Sequence, residues 1–231
     1  MAGLPEVAPG DDLAALIAPH AGAGDVVVVS HKVVSKSEGR VVDLASVAPS
    51  GEARALGKDD PRLAQVILDE AASIVRAERG IVIAETRHGF VCANAGVDRS
   101  NVPGEETAVL LPLDPDRSAR ELRARLPGRP GVIVSDTFGR AWRVGQVEVA
   151  IGIAGVQPVD DWRGRADAEG RDLAATVLAT ADAIAAASEL TRAKDSREPV
   201  VVVRGLERWI TEEDGPGAAA LVRAREDDLF R

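Results

Sequence analysis

Two short apolar runs restrict what this chain can fold into. Residues 25–30 (DVVVVS) follow glycines at 22 and 24, and residues 131–135 (GVIVS) form a second run of the same kind. Short β-branched runs of this sort read as buried strands. Residues 81–84 and 90–93 give two more strands around a turn at 87–89, and residues 200–204 another after Pro199. Helical spacing separates them. Residues 61–78 have Asp60 as a cap and Pro61 in the first turn, 117–126 are amphipathic, and 217–225 suit a last helix. The longest helical pattern is 169–191, where Leu173, Val177, Ala181, Ile184 and Ser188 recur at three- and four-residue steps. The alternation predicts a mixed α/β (α+β) fold. At 231 residues, with no repeats or low-complexity tails, one domain over 1–231 accounts for the chain.

Composition narrows the function classes. Cys92 is the only cysteine, which excludes an intramolecular disulfide and any multi-cysteine zinc site. A net charge of −9 argues against nucleic acid as the main partner, because phosphate contacts need clustered Lys and Arg. No apolar run approaches the roughly 18–20 residues that span a bilayer, and the start has no signal-peptide pattern. A cytoplasmic protein without a membrane partner is the expectation.

The common nucleotide signatures fail. Residues 51–59 (GEARALGKD) imitate a phosphate loop, but five residues separate the glycines and Asp59 stands where a Ser or Thr is required. Gly22 and Gly24 precede a strand, whereas the Rossmann fingerprint follows one. His20, His31 and His88 are not at metal-ligand spacing.

Four segments carry polar groups suited to chemistry. Residues 30–40 (SHKVVSKSEGR) put Lys32, Lys36 and Arg40 among hydroxyls after a strand, either for phosphate oxygens or as a solvated basic loop. Residues 92–102 (CANAGVDRSNV) offer hard oxygen ligands such as Asp98, or an Asx-rich turn. Residues 135–146 place Asp136 and Thr137 after the GVIVS run, with Arg140 and Arg143 close by. Asp136 and Arg140 are the candidate catalytic residues, although Asp136 also suits the cap of a helix starting at Thr137. Residues 160–165 (DDWRGR) read equally as a charged substrate face or a packed turn. Separate carboxylates with nearby cations are what metal-assisted phosphoryl chemistry needs.

At these segments the chain resembles the coenzyme F-420 γ-glutamyl ligase family. The matching stretches are 33–40 (VVSKSEGR), 94–102 (NAGVDRSNV), 110–116 (LLPLDPD), 135–140 (SDTFGR) and 150–155 (AIGIAG), with 202–205 (VVRG) and Gly3, Leu4 and Pro5. Any one is weak, and five in order are specific.

The resemblance implies a GTP-dependent amide ligase with a fold of its own, neither P-loop nor Rossmann, in an intertwined homodimer. It implies that the lactyl-phospho deazaflavin precursor is activated as an acyl phosphate and attacked by the amine of L-glutamate. GDP and phosphate leave, and further glutamates join through γ-carboxylates. Two divalent ions (Mn2+ or Mg2+) and K+ are the implied ions. Asp98, Asp136 and Thr137 match the family's metal positions. Gly3, Leu4, Pro5, Glu6, His31, Lys32, Lys36 and Asn101 match its nucleotide contacts. The family's nucleotide and metal loop falls at residues 191–198 (TRAKDSRE), where an acidic ligand expected in some members becomes Lys194, leaving Asp195 or Glu198 to substitute. The chain has no room for the flavin-binding domain that follows in some relatives, so a stand-alone ligase is expected. Two readings compete with it: a ligase or phosphoryl transferase on another carboxylate, and a non-catalytic GTP- or deazaflavin-binding protein.

Overall fold

The computed structural model describes residues 1, 3–100, 104 and 106–229. In chain order the main elements are α1 (Leu13–Ile17), β1 (Val26–Ser30), α2 (His31–Ser37), β2 (Val41–Asp43), α3 (Gly51–Ala55) and α4 (Pro61–Glu70). There follow β3 (Ala71–Glu78), β4 (Ile81–Thr86), β5 (Val91–Ala93), β6 (Thr107–Val109) and α5 (Pro115–Arg125). The rest are β7 (Gly131–Arg140), β8 (Arg143–Ala154), β9 (Asp160–Asp161), β10 (Val177–Leu178), α6 (Thr180–Glu189) and β11 (Val200–Val203). The fold is mixed α/β, as the sequence predicts, and none of the described helices is long and apolar enough to cross a membrane.

A central sheet runs in the order β11–β1–β7–β8. β1 is parallel to β7 and antiparallel to β11, and β7 pairs antiparallel with β8. Val27, Val29, Val132 and Val134 face α1 and α5 through Ile17, Leu122 and Leu126. Val26, Val28 and Ile133 face α6 through Ala181, Ile184 and Ala185. Burial on both faces is why β1 and β7 read as unbroken apolar runs rather than alternating ones. Along β8, the N–H groups of Glu148, Ala150 and Ile153 donate to Glu189, Asp182 and Asp116 at 3.1, 2.9 and 2.8 Å. Those carboxylates blunt an outer strand that otherwise offers unpaired donors. Burial raises the pKa of Asp182 despite the Ala150 N–H.

A second assembly packs α4 against β3–β4–β5 and β2–β6 around Leu44, Val66, Ile67, Val82 and Ala84. From β5 the chain turns through Asn94, Ala95 and Gly96, all at positive φ (56°, 54° and 74°). A Cβ on Gly96 would come within 2.6 Å of the Leu111 side chain, so only glycine allows this approach.

Three expected elements need correction. The helix expected over 61–78 stops at Glu70, and residues 71–78 form β3. Ile74 and Val75 suit a strand, and pairing with β4 through two register shifts outweighs the helical spacing. The helix expected over 169–191 covers only Thr180–Glu189. Asp167 Oδ1 accepts from the N–H groups of Glu169 and Arg171, which turns the chain through Gly170 before β10 pairs with β9. Residues 217–225 contain only a 3-10 turn at Ala218–Leu221 and part of another.

One latch joins the ends of the fold. Arg123 is buried, and its guanidinium donates to Pro130 O, Thr211 O, Glu212 O and Asp214 Oδ1 at 3.1, 2.6, 3.0 and 2.6 Å. It passes Gly155, where a Cβ would lie 2.1 Å from Arg123 Nε.

Candidate active site

The parallel pairing of β1 with β7 sets Ser30 beside Ser135, so the next residues, His31 and Asp136, emerge together at the carboxyl ends of the strands. Such ends are common ligand sites in α/β folds. His31 Nε2 lies 3.2 Å from Asp136 Oδ1, within ion-pair distance, but neither His31 ring nitrogen has hydrogen-bond geometry to a partner. β1 runs directly into α2, in which Val33, Val34, Ser35 and Lys36 are buried. The basic stretch is therefore a packed helix, not a solvated loop. Lys36 Nζ reaches Glu6 Oε1 at 2.5 Å. Lys32 Nζ lies 2.6 Å from Ser100 Oγ and 2.8 Å from Asp98 Oδ2.

β7 continues through Asp136 and Thr137 to Arg140, so Asp136 caps no helix. A register shift between Val134 and Ser135 falls just before Asp136, an irregularity of the sort that re-aims side chains next to sites. Thr137 pairs across the ladder with Glu148 of β8, and its hydroxyl donates to Glu148 Oε1 at 3.0 Å. The segment after α6 closes the far side. Arg192 lies 3.3 Å from Glu148 Oε1, and Lys194 Nζ is 2.8 Å from Thr137 Oγ1 and 2.9 Å from Glu189 Oε1.

These groups line a cavity of about 610 Å³. It is lined by Leu4, Pro5 and Glu6, by Ser30, Lys32 and Lys36, by Asp136, Thr137 and Glu148, and by Glu189, Arg192, Lys194, Arg197, Glu198 and Pro199. Lys32, Lys36, Arg192, Lys194 and Arg197 meet Glu6, Asp136, Glu148, Glu189 and Glu198 there. In a chain of net charge −9, this balance concentrates cations at one place. Cations suit phosphate oxygens and the facing acids suit a hard metal ion.

The donor set passes a specific test for such an ion. Glu148 is only 5% exposed, yet its Oε2 makes no hydrogen bond. Asp136 and Thr137 add hard oxygens on the same cavity. Among the described residues no group of three or more His, Cys, Asp and Glu is assembled to hold a metal. The set fits an ion held by one or two carboxylates together with a ligand's phosphates, as magnesium commonly is, rather than an all-protein cage.

The other candidates lie elsewhere. Asp98 and His31 are not on the cavity wall. Burial favours the protonated form of Asp98, but hydrogen bonds from Lys32 and Ser100 N–H outweigh it and hold its pKa below the ordinary value. Arg140 is exposed, and its guanidinium folds back on Val144 O and Gly145 O at 2.8 and 3.3 Å, so the β7–β8 turn engages the expected catalytic arginine. Gly3 is exposed and off the wall, and Asn101 falls outside the described residues. The sequence reading missed Glu148 and Glu189, and took in Arg192 only as part of the loop at 191–198. Glu148 had a signal: a charge inside the run VEVAIGIA (147–154), where burial demands partners.

A family model described as F420-0:Gamma-glutamyl ligase matches residues 3–205. The coenzyme F420:L-glutamate ligase of Methanopyrus kandleri is 47% identical over 98% of this chain and 94% of its own. Its namesake in Methanothermobacter thermautotrophicus is 42% identical over 99% and 96%, and that of Methanocaldococcus jannaschii 42% over 90% and 85%. An α/β enzyme of the ligase class is thereby defined. Within that class, the chain belongs to the F420-0:gamma-glutamyl ligase family.

Proposed function

We propose that this enzyme joins L-glutamate to the lactyl-phospho deazaflavin precursor of coenzyme F420, with GTP as the phosphoryl donor. The relatives' names support the glutamate acceptor chemistry. The observation that carries the reading is one cavity in which Lys32 and Lys36 oppose Asp136, Thr137 and Glu148.

In this reading the precursor's carboxylate oxygen attacks the γ-phosphorus of GTP, and the bond to GDP breaks. The glutamate amine then forms a C–N bond to the acyl phosphate, phosphate leaves with the C–O electron pair, and the amine loses its proton. Lys36, Lys32 and Arg192 hold phosphate oxygens and offset developing charge. For this Lys36 exchanges Glu6 for phosphate. Asp136, Thr137 and Glu148 would hold a divalent ion, and Asp98 joins them by releasing Lys32. When bound, that ion supplies charge neutralisation and polarises the transferred group. Potassium belongs to the same reading. So does a homodimer, favoured by Trp142 and Val144 standing exposed at the β7–β8 tip. Light scattering that returns one chain's 24.1 kDa would remove the dimer.

Mass spectrometry after incubation with precursor, glutamate, GTP and manganese tests the reaction. A glutamyl adduct, with phosphate release that needs both acceptor and glutamate, supports it. Nucleotide binding without release makes the chain a binding module, and release with a different carboxylate changes the substrate.

A further inference from the structure

Three oxygens converge in the cavity, and an ammonium group stands among them. Lys194 Nζ lies 2.8 Å from Thr137 Oγ1, 2.9 Å from Glu189 Oε1 and 3.7 Å from Glu148 Oε1. The lysine side chain is 64% exposed, so it reaches in from the rim, while Glu148 is buried beneath it. Arg192 and Lys194 both approach Oε1 of Glu148, and the buried Oε2 makes no hydrogen bond. A buried carboxylate oxygen without a donor is costly, so the ammonium and the guanidinium leave Glu148 only partly satisfied.

The charges lead to a definite assignment. Glu148 and Glu189 meet Arg192 and Lys194 in this corner. Take away the ammonium, and two carboxylates face a single guanidinium. That uncompensated negative charge, carried on hard oxygens with a hydroxyl beside them, suits a hard divalent ion. We propose that the Lys194 ammonium is a tethered cation, standing in the Glu148–Thr137–Glu189 cage where a divalent ion would otherwise bind. Lysine suits the part because it is a compact point charge with three rotatable donors on a flexible stem. This rests on reading the cavity as the ligase site, and it assigns the chain one exchangeable divalent ion fewer than its oxygen donors could hold.

The test counts ions with GDP present and without acceptor or glutamate. Manganese binding is measured by the loss of the free-ion resonance signal in the parent, in Lys194→Met and in Lys194→Arg. Lys194→Met should bind one more ion per chain than the parent, and Lys194→Arg should not. With manganese about a hundredfold above its Kd, the melting temperature of Lys194→Met should rise roughly five to ten degrees more than the parent's. Lys194→Gln provides the same count if the methionine variant does not fold. Adding Glu148→Gln to the uncharged variant should remove the extra ion. An equal ion count in the parent and the uncharged variants overturns the proposal. Failure of the ligase reading shows separately, as absent precursor-dependent phosphate release in the parent, because the ion count needs neither acceptor nor turnover.

Discussion

Val26, Val27, Val28 and Val29 of β1 are fully buried, whereas Val75, Ile81 and Val91 of the outer sheet stand 40%, 59% and 41% exposed. The two sheets use similar residues under different constraints. The central sheet is covered on both faces, so its strand ends are held from every side, and His31, Asp136, Thr137 and Glu148 sit on or next to them. The outer sheet covers one core with one face, and its product is a loop that delivers Asp98 and Ser100. Lys32 bonds that loop to α2. The site is thus one rigid half plus a second half attached through ion-pair contacts. Activity should be sensitive to the first, and tunable through the second.

The sharpest test of how closely the halves meet uses Cys92, on β5 of the outer sheet. Burial first, and then the Asp136 charge, push its thiol up to about 12, against a smaller opposing effect of the Gly96 N–H. At pH 8 the thiolate should be scarcer by roughly three orders of magnitude than for a free cysteine of pKa about 8.5. Alkylation of the folded chain should be slower in proportion than in denaturant, and should quicken as pH rises towards 12. Labelling at the free-thiol rate would contradict the burial of Cys92 in the outer sheet.

Next in size is Asp136→Asn. Turnover should fall by more than the roughly 10–100-fold typical of losing a group that only orients a ligand, with the melting curve nearly unchanged. Near-normal activity in a folded variant would take Asp136 out of the site. Lys36→Met keeps the stem and removes the charge. A charge-assisted hydrogen bond is worth about 1.5–3 kcal/mol, so calorimetry should show GTP affinity falling roughly ten- to a hundredfold. Unchanged affinity would take Lys36 out of the nucleotide site and leave it a structural role that includes its ion pair with Glu6. The smallest effects concern packing. Val28→Ala should cost about 2–3 kcal/mol in urea unfolding, while Ile81→Thr should stay within about 0.5 kcal/mol. Equal costs would erase the contrast between the sheets.

Much of the rigid half was legible in the sequence, because strands buried on both faces leave unbroken apolar runs. The Asp60 cap was legible too, since its carboxylate accepts from Arg62 N–H. The junction of α4 with β3 was not. There the chain changes period at Glu70 with no glycine or proline to mark it, and the decision belongs to the β4 partner. At the site, Lys32, Lys36, Asp136 and Thr137 share the cavity, but Arg140 is engaged by turn carbonyls that no spacing reveals. Glu148 and Lys194 meet only through the fold, 46 positions apart in the chain.

The Arg123 latch has a consequence for synthesis. Three of its acceptors, at 211, 212 and 214, leave the ribosome well after β11, whose last residue is Val203. Without them every strand of the central sheet is present, but Arg123 keeps only the Pro130 carbonyl of these four acceptors. Burying a guanidinium so poorly matched is strongly unfavourable. The nascent domain therefore stays open to chaperones and proteases after its sheet residues have all been translated. A chain cut between residues 203 and 211 should therefore be degraded rather than persist as a stable, ligand-binding remnant.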